Sequence, residues 1–564
     1  PREECRIGRE GERRPGPAQR AGQCWIDGKL HACSIHRFAE LQTQHVAGAN
    51  CQVRAEYLPG ACLNHRHDDA RAVAERNHAE DEREQCHDRA AHDQIEAIRD
   101  AEGNARESLN SHAIIIQAGR GAVQRLHQTF TRRRSRMADL LIENIGQLCV
   151  MPTLNGGPQR GAAFGTLGLV EHAVVAIRDG AIRAVGTGTE LRREYPAARV
   201  IDARGRLVTP GLIDPHTHLV WAGDRAGEFE LRRAGTSYQE IMAAGGGINK
   251  TVRDTRAASL ETIIAQSTAR LNRMLLNGST TVEAKTGYGL DLETELRLLD
   301  AIAQIDTAHP VDLVPTLLAA HAVPPEYEYN ADDYVRVVCE QIIPAAAAWH
   351  AQHGRGTLFC DAFCEHGAFT LEQSRRVLEA GRAAGLTSRL HADEFASLGG
   401  VALAVELGAA SVDHLLVTTP EDCARLGASQ TAAVLLPTTP FGLNIANSAP
   451  AAALIAAGAA LAIATDCNPG TAWCESMQFV LALAVRTLGL TQAQALAAAT
   501  INAAHAAGRL ERVGSIEPGK RADLLIWDIL DYRQLGYVFG ANLVDTVIKD
   551  GRVVIERGIR ITSS

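Results

Sequence analysis

From residue 212 to residue 466 the chain alternates short apolar runs with amphipathic stretches. That rhythm constrains the fold more than any other feature, because strands alternating with helices build a parallel sheet. Candidate strands run up to His216, led in by the apolar run 207–212 that reads as one short buried strand, and over 281–285, 313–318, 358–363, 388–391, 411–414, 433–437 and 461–466. The helices between them carry their own start and stop signals. Thr370 with Gln373 and Thr491 with Gln494 read as capping boxes, and Thr419-Pro420 puts proline at a first helical position. Gly278 and Gly385 stand where helices should end. The Ala-rich run 449–464 contains Pro450 and Gly458 and is too short to span a bilayer comfortably, so it reads as a helix running into a core strand. Eight strand–helix units predict an α/β fold, a TIM-type (β/α)8 barrel over 209–508 with its active site at the C-terminal strand ends.

The flanks read differently. Residues 137–208 hold short strands, including 172–178 and 181–185 joined by Asp179-Gly180; residues 509–564 hold a second hairpin around Asp550-Gly551. Neither set is large enough to fold alone. Both ends are therefore expected to combine into one small β-sandwich domain. Residues 1–136 are rich in Arg, His and Cys, contain Lys29 as their single lysine, and lack apolar periodicity. His65, His67, Cys86 and His87 match no metal-site spacing. The first methionine is Met137, where the ordered pattern begins. We expect 1–136 to be an unstructured extension or translated upstream sequence, with Met137 the true start.

Length and composition bound the function. A chain of 564 residues exceeds one ordinary core, and 46% apolar with 22% charged residues fits a soluble globular protein. A net charge of -9 argues against a nucleic-acid partner. The start shows no secretory pattern, and 13 cysteines are sparse for this length, so a reducing cytoplasm and free thiols are expected, with no membrane partner.

The polar residues collect at the predicted strand ends. His216 and His218, two apart on a strand, should face one side. His391 ends strand five, Asp413-His414 ends strand six, and Asp466 ends strand eight. His216, His218, His391 and Asp466 suit a single Zn2+ or iron ion, leaving a position for water. The metal would lower the pKa of that water. Asp466 could take its proton and return it to a leaving nitrogen, His414 could polarise a carbonyl, and Glu394 could hold or protonate a ring nitrogen. Cys467 reads as a small packing residue; His366 is divided between lining the site and serving structure.

This arrangement resembles the amidohydrolase superfamily in its single-metal form, as does the tail 514–524. More narrowly, the segments 214–225, 283–290, 320–324 and 466–471 resemble the imidazolonepropionases, with Gly223-Asp224-Arg225 and Lys285-Thr286-Gly287-Tyr288-Gly289 the most specific. The resemblance spans 137–564. It implies hydrolytic ring opening of 4-imidazolone-5-propanoate to N-formimidoyl-L-glutamate in histidine degradation, by a metal-activated water, with one Zn2+ or Fe2+/Fe3+ per subunit in a homodimer. It further implies that Arg225 grips the substrate carboxylate, that Tyr288 and His321 meet the ring or product, and that Asn468, Gly470 and Thr471 form a substrate-contacting loop. Trp221 stands where a smaller aromatic is expected, at a packing position.

The nearest alternative is a single-metal deaminase of a nucleobase-like heterocycle, which shares the strand-end metal residues; Arg225 weighs against it, since a neutral base needs no cation. Two-metal cyclic amidases use a carboxylated lysine at the end of strand four, and 361–364 contains none. A non-catalytic scaffold should have lost metal ligands, and all four are present.

Overall fold

The computed structural model describes residues 23–26, 29–32, 137–236, 240, 245–353 and 356–561. Within the first 136 residues, Gln23–Ile26 pairs antiparallel with Lys29–Ala32 as a small hairpin. The expectations for the remainder of that region, His65, His67, Cys86 and His87 included, lie outside the described residues.

The eight-strand rhythm is a parallel barrel. In chain order the strands are Leu212–Asp214, Ser279–Lys285, Asp312–Ala320, Phe359–Cys364, Thr387–Ala392, Ser411–His414, Ala432–Leu435 and Ala460–Ile463, here barrel strands one to eight. Each pairs with its sequence neighbour. The seam between first and last lies just beyond both strands. Thr217 bridges Cys467 in parallel, His218 N–H donates to the Cys467 carbonyl at 3.0 Å, and Asp466 N–H donates to the His216 carbonyl at 3.1 Å. The Asp214 carboxylate fastens the same seam, accepting from Thr465 N–H at 3.1 Å and from its hydroxyl at 2.6 Å. Closing the barrel thus brings residues from its two ends into one place.

Helix signals match the structure. Thr370 and Thr491 close full capping boxes, and Pro420 sits in the first turn of Pro420–Gly427. Gly278 and Gly385 take φ of 96° and 84° just after helices Leu260–Leu276 and Leu371–Ala383, a conformation open to glycine. The Ala-rich run becomes helix Ala451–Ala457 and barrel strand eight. Among the described residues no helix is long and apolar enough to cross a membrane.

The chain ends meet in a nine-stranded mixed sheet. Leu207–Pro210 joins them, pairing with Ala138–Cys149 on one side and antiparallel with Leu524–Trp527 on the other. The expected hairpins are Leu169–Arg178 with Ala181–Thr187, and Val544–Lys549 with Arg552–Glu556. Their turns stack: a Cβ on Gly551 would lie 3.2 Å from the Gly180 Cα.

Two details of the first barrel strand differ from the sequence reading. The apolar run 207–212 is not one strand, because Leu207–Pro210 belongs to the mixed sheet and the barrel begins at Leu212. Gly211 is the hinge between them, pressed on Thr280 so closely that a Cβ would lie 2.2 Å from Oγ1. Strand one also ends at Asp214, two residues before His216, since Pro215 has no N–H to continue the ladder. Gly211→Ala should cost roughly 1–3 kcal/mol from overpacking. Urea denaturation checks this, with part of the loss recovered by adding Thr280→Ala; no loss in the single variant would contradict the close approach.

Candidate active site

The four sequence-predicted metal residues converge. His216 Nε2 and His218 Nε2 each lie 3.5 Å from Asp466 Oδ1, and His391 Nε2 lies 3.4 Å from His218 Nε2. Ligand atoms of His216, His218 and Asp466 lie within 4.8 Å of one another, as do those of His216, His391 and His414. His216 Nε2 is buried with no hydrogen-bond partner, while its other nitrogen, Nδ1, is bound to Asp413 Oδ2 at 2.7 Å. A buried lone pair without a donor is costly unless something cationic meets it. The donor set and this unmet nitrogen fit a metal ion.

Burial holds the imidazoles of His216, His218 and His414 neutral, the form that ligates metal. It lowers His216, His218 and His414 well below the ordinary range, helped by the Lys285 charge at His216, by His321 at His218 and by His391 at His414. Asp466 is pushed up to about 6 by burial, against the pull of a 2.5 Å hydrogen bond from Thr439 Oγ1.

Beneath the histidines lies a layer of charge that the motif reading missed. Lys285 Nζ, fully buried, sits 2.9 Å from Glu283 Oε1, 2.9 Å from Asp361 Oδ2 and 3.9 Å from Asp413 Oδ2. Asp413 backs His216, and Asp361 Oδ2 lies 3.0 Å from His391 Nδ1. Burial acts to raise Asp361, but His391 and Lys285 beside it outweigh that and hold it well below the carboxylate range. Glu283 also ties down the His-Thr-His segment, accepting from Thr217 N–H at 2.9 Å while its carbonyl takes the Thr217 hydroxyl at 2.5 Å. A signal was available: Glu283 and Lys285 stand two apart on a strand buried throughout, so both point into the barrel. Thr439, by contrast, meets Asp466 only through the fold.

His414 and Glu394 pair across the site, Nε2 to Oε2 at 3.6 Å. Burial, with Asp466 and Glu365 nearby, raises Glu394 well above the carboxylate range and so favours its protonated form. His414 has a φ of 82°, a strained backbone of the kind found at functional positions. Its Nδ1 is buried without a partner.

The remaining predicted residues form two groups. His321 stacks on His218 with ring centroids 4.8 Å apart, and Tyr288 lies edge-on to His321 at 5.2 Å. Arg225 lines a cavity of about 580 Å3 with Gly470 and Thr471. Its Nε donates to Glu228 Oε2 at 2.8 Å, and a Cβ on Gly470 would lie 2.4 Å from its Nη1. A second cavity, about 220 Å3, reaches His414; Phe441 lines both. Asn468 spends its amide on its own loop, donating to the Asp466 carbonyl and accepting from Gly470 and Thr471 N–H, each of the latter at 2.8 Å. His366 is exposed, Cys467 is buried, and Trp221 is buried under the Arg270 guanidinium at 3.6 Å.

Residues 207–554 match the amidohydrolase family model. The imidazolonepropionase of Herpetosiphon aurantiacus is 51% identical over 419 residues, 74% of this chain and 97% of that protein. This chain belongs to the imidazolonepropionases of the amidohydrolase family. The Chloroflexus aggregans relative is also 51% identical, over 74% of this chain and 98% of its own length, and that of Geobacillus kaustophilus 48%, over 75% and 99%. Among solved structures, an adenosine deaminase from Xanthomonas campestris with bound zinc superposes with a TM-score of 0.57 at 21% identity, covering 76% of this chain and 95% of its own. Escherichia coli guanine deaminase gives 0.56 at 18%, covering 74% and 99%. At such identities these structures share the fold. The chain is a hydrolase with a metal cofactor.

Lys285→Met would leave three buried carboxylates facing each other without their cation. Breaking such a network from one side costs roughly 3–5 kcal/mol. Urea unfolding of the variant should show a loss of that size; a loss under about 1 kcal/mol, the value of an exposed pair, would contradict the network.

Proposed function

We propose that this chain hydrolyses 4-imidazolone-5-propanoate to N-formimidoyl-L-glutamate in histidine degradation, using one Zn2+ or iron ion held by His216, His218, His391 and Asp466. The observation that carries the reading is half identity across nearly the whole length of imidazolonepropionases, joined to a converging His/His/His/Asp cluster. The deaminase alternative is not favoured by these relatives.

The metal, when bound, supplies Lewis acidity and lowers the pKa of a coordinated water. The chain's own residues do the rest. Arg225, its Nε fixed by Glu228, offers its remaining N–H groups to the propionate carboxylate. Tyr288 and His321 flank the ring beside His218. His414 hydrogen-bonds the ring carbonyl as it gains negative charge, and Glu394, protonated, holds a ring nitrogen. Asp466, held by Thr439, takes the proton of the attacking water and returns it to the ring nitrogen as the carbonyl C–N bond breaks. The carbonyl carbon becomes the glutamate carboxylate, and the freed nitrogen becomes the terminal nitrogen of the formimidoyl group. Asn468, Gly470 and Thr471 shape the wall between Asp466 and Arg225.

Loss of imidazolone ultraviolet absorbance measures the reaction. Asp466→Ala should lower kcat by at least ~100-fold. Arg225→Ala should act mainly on KM, raising it roughly 10- to 100-fold for the lost charge-assisted bonds. No turnover by metal-loaded parent protein, with ammonia released from an aminated heterocycle instead, would overturn the substrate assignment.

A further inference from the structure

The loop 286–290 between barrel strand two and the helix Leu292–Ala308 wraps a single carboxylate. Glu295, fully buried on that helix, accepts from the backbone N–H of Gly287 at 3.1 Å, Gly289 at 2.8 Å and Leu290 at 2.9 Å. A carboxylate bound by several N–H donors is a strong, directional anchor. Two glycines permit the wrap. Gly287 has a φ of 99°, and a Cβ on Gly289 would lie 2.9 Å from Glu295 Oε1 and 2.8 Å from the Glu295 nitrogen.

The loop's output is the placement of two rings. Tyr288 lies between the two clamped glycines, buried, with its ring 5.9 Å from that of His218. The Gly287 carbonyl accepts from His321 Nδ1 at 2.9 Å, fixing that ring's tautomer with Nε2 as the acceptor nitrogen and stacking it on His218. We infer that Glu295 is a positioning residue for the substrate site: through the loop 286–290 it sets Tyr288 and His321 beside the metal cluster without touching substrate. This rests on the reading above that Tyr288 and His321 meet the substrate.

The effect should appear in substrate binding, because the anchor's backbone bonds go to the loop 286–290 and not to His216, His218, His391 or Asp466. Glu295→Gln keeps the shape but, with its oxygen on Gly289 and Leu290, turns its N–H2 toward the Gly287 N–H. Parent, Glu295→Gln, Tyr288→Leu and the double variant are assayed by imidazolone absorbance, with metal content per chain and thermal unfolding measured beside them. Glu295→Gln should raise KM about tenfold, change kcat less than about threefold and leave metal content unaltered. The double variant should show a KM raised by less than the product of the two single effects, since the two changes share the Tyr288 ring. A raised KM in Tyr288→Leu with an unchanged KM in Glu295→Gln overturns the positioning role alone, as does a double variant whose effects multiply. An unchanged KM in Tyr288→Leu overturns the substrate reading beneath it. If Glu295→Gln does not fold, Glu295→Asp, charged but one methylene shorter, carries the same test with the same signs.

Discussion

The site depends on charge buried inside the barrel. Parallel barrels usually fill their interior with branched apolar side chains. Here Glu283, Lys285, Asp361, Arg389 and Asp413 are all buried within barrel strands. Each charge would be prohibitive alone, and together they are tolerable because the geometry pairs them. Lys285 joins Asp361 to Asp413, and these two back His391 and His216. The orientation of two rings of the histidine cluster is therefore set from beneath by one ammonium group. Three carboxylates around a single lysine, with Asp466 above, leave an excess of negative charge that suits a cation.

The second constraint is topological. His216, His218 and Asp466 lie just past the ends of the first and last barrel strands and meet because the barrel closes there. The Asp214 carboxylate, pushed up to about 7 by burial, holds Thr465 across the same seam. Gly211, hinged between two sheets, fixes where the first strand enters. One short run of chain thus leads from the mixed sheet directly into the His216 and His218 segment.

Much of this was legible from the residues in order. Strand–helix alternation gave eight strands because each unit carries local signals, and the Asp-Gly turns gave the hairpins for the same reason. The residues of the converging His/Asp cluster were legible because chemistry in a barrel collects at strand ends. What escaped was non-local. The Lys285–Asp361 pair spans 76 positions, and His216–Asp413 spans 197. Neither partner advertises the other in sequence. Thr439 looked like any loop threonine until the fold brought it to Asp466. The run 207–212 looked continuous because apolar content does not reveal which sheet a residue joins. Asn468 lies in the expected loop, but its amide is turned to building that loop.

X-ray absorption at the metal edge, on protein loaded with a single metal, reads the ligand shell itself. The expected spectrum shows one ion per chain, a shell of three imidazole nitrogens with carboxylate and water oxygens, and no metal–metal scattering. A metal–metal vector, or a shell with fewer than three imidazoles, would contradict the proposed site.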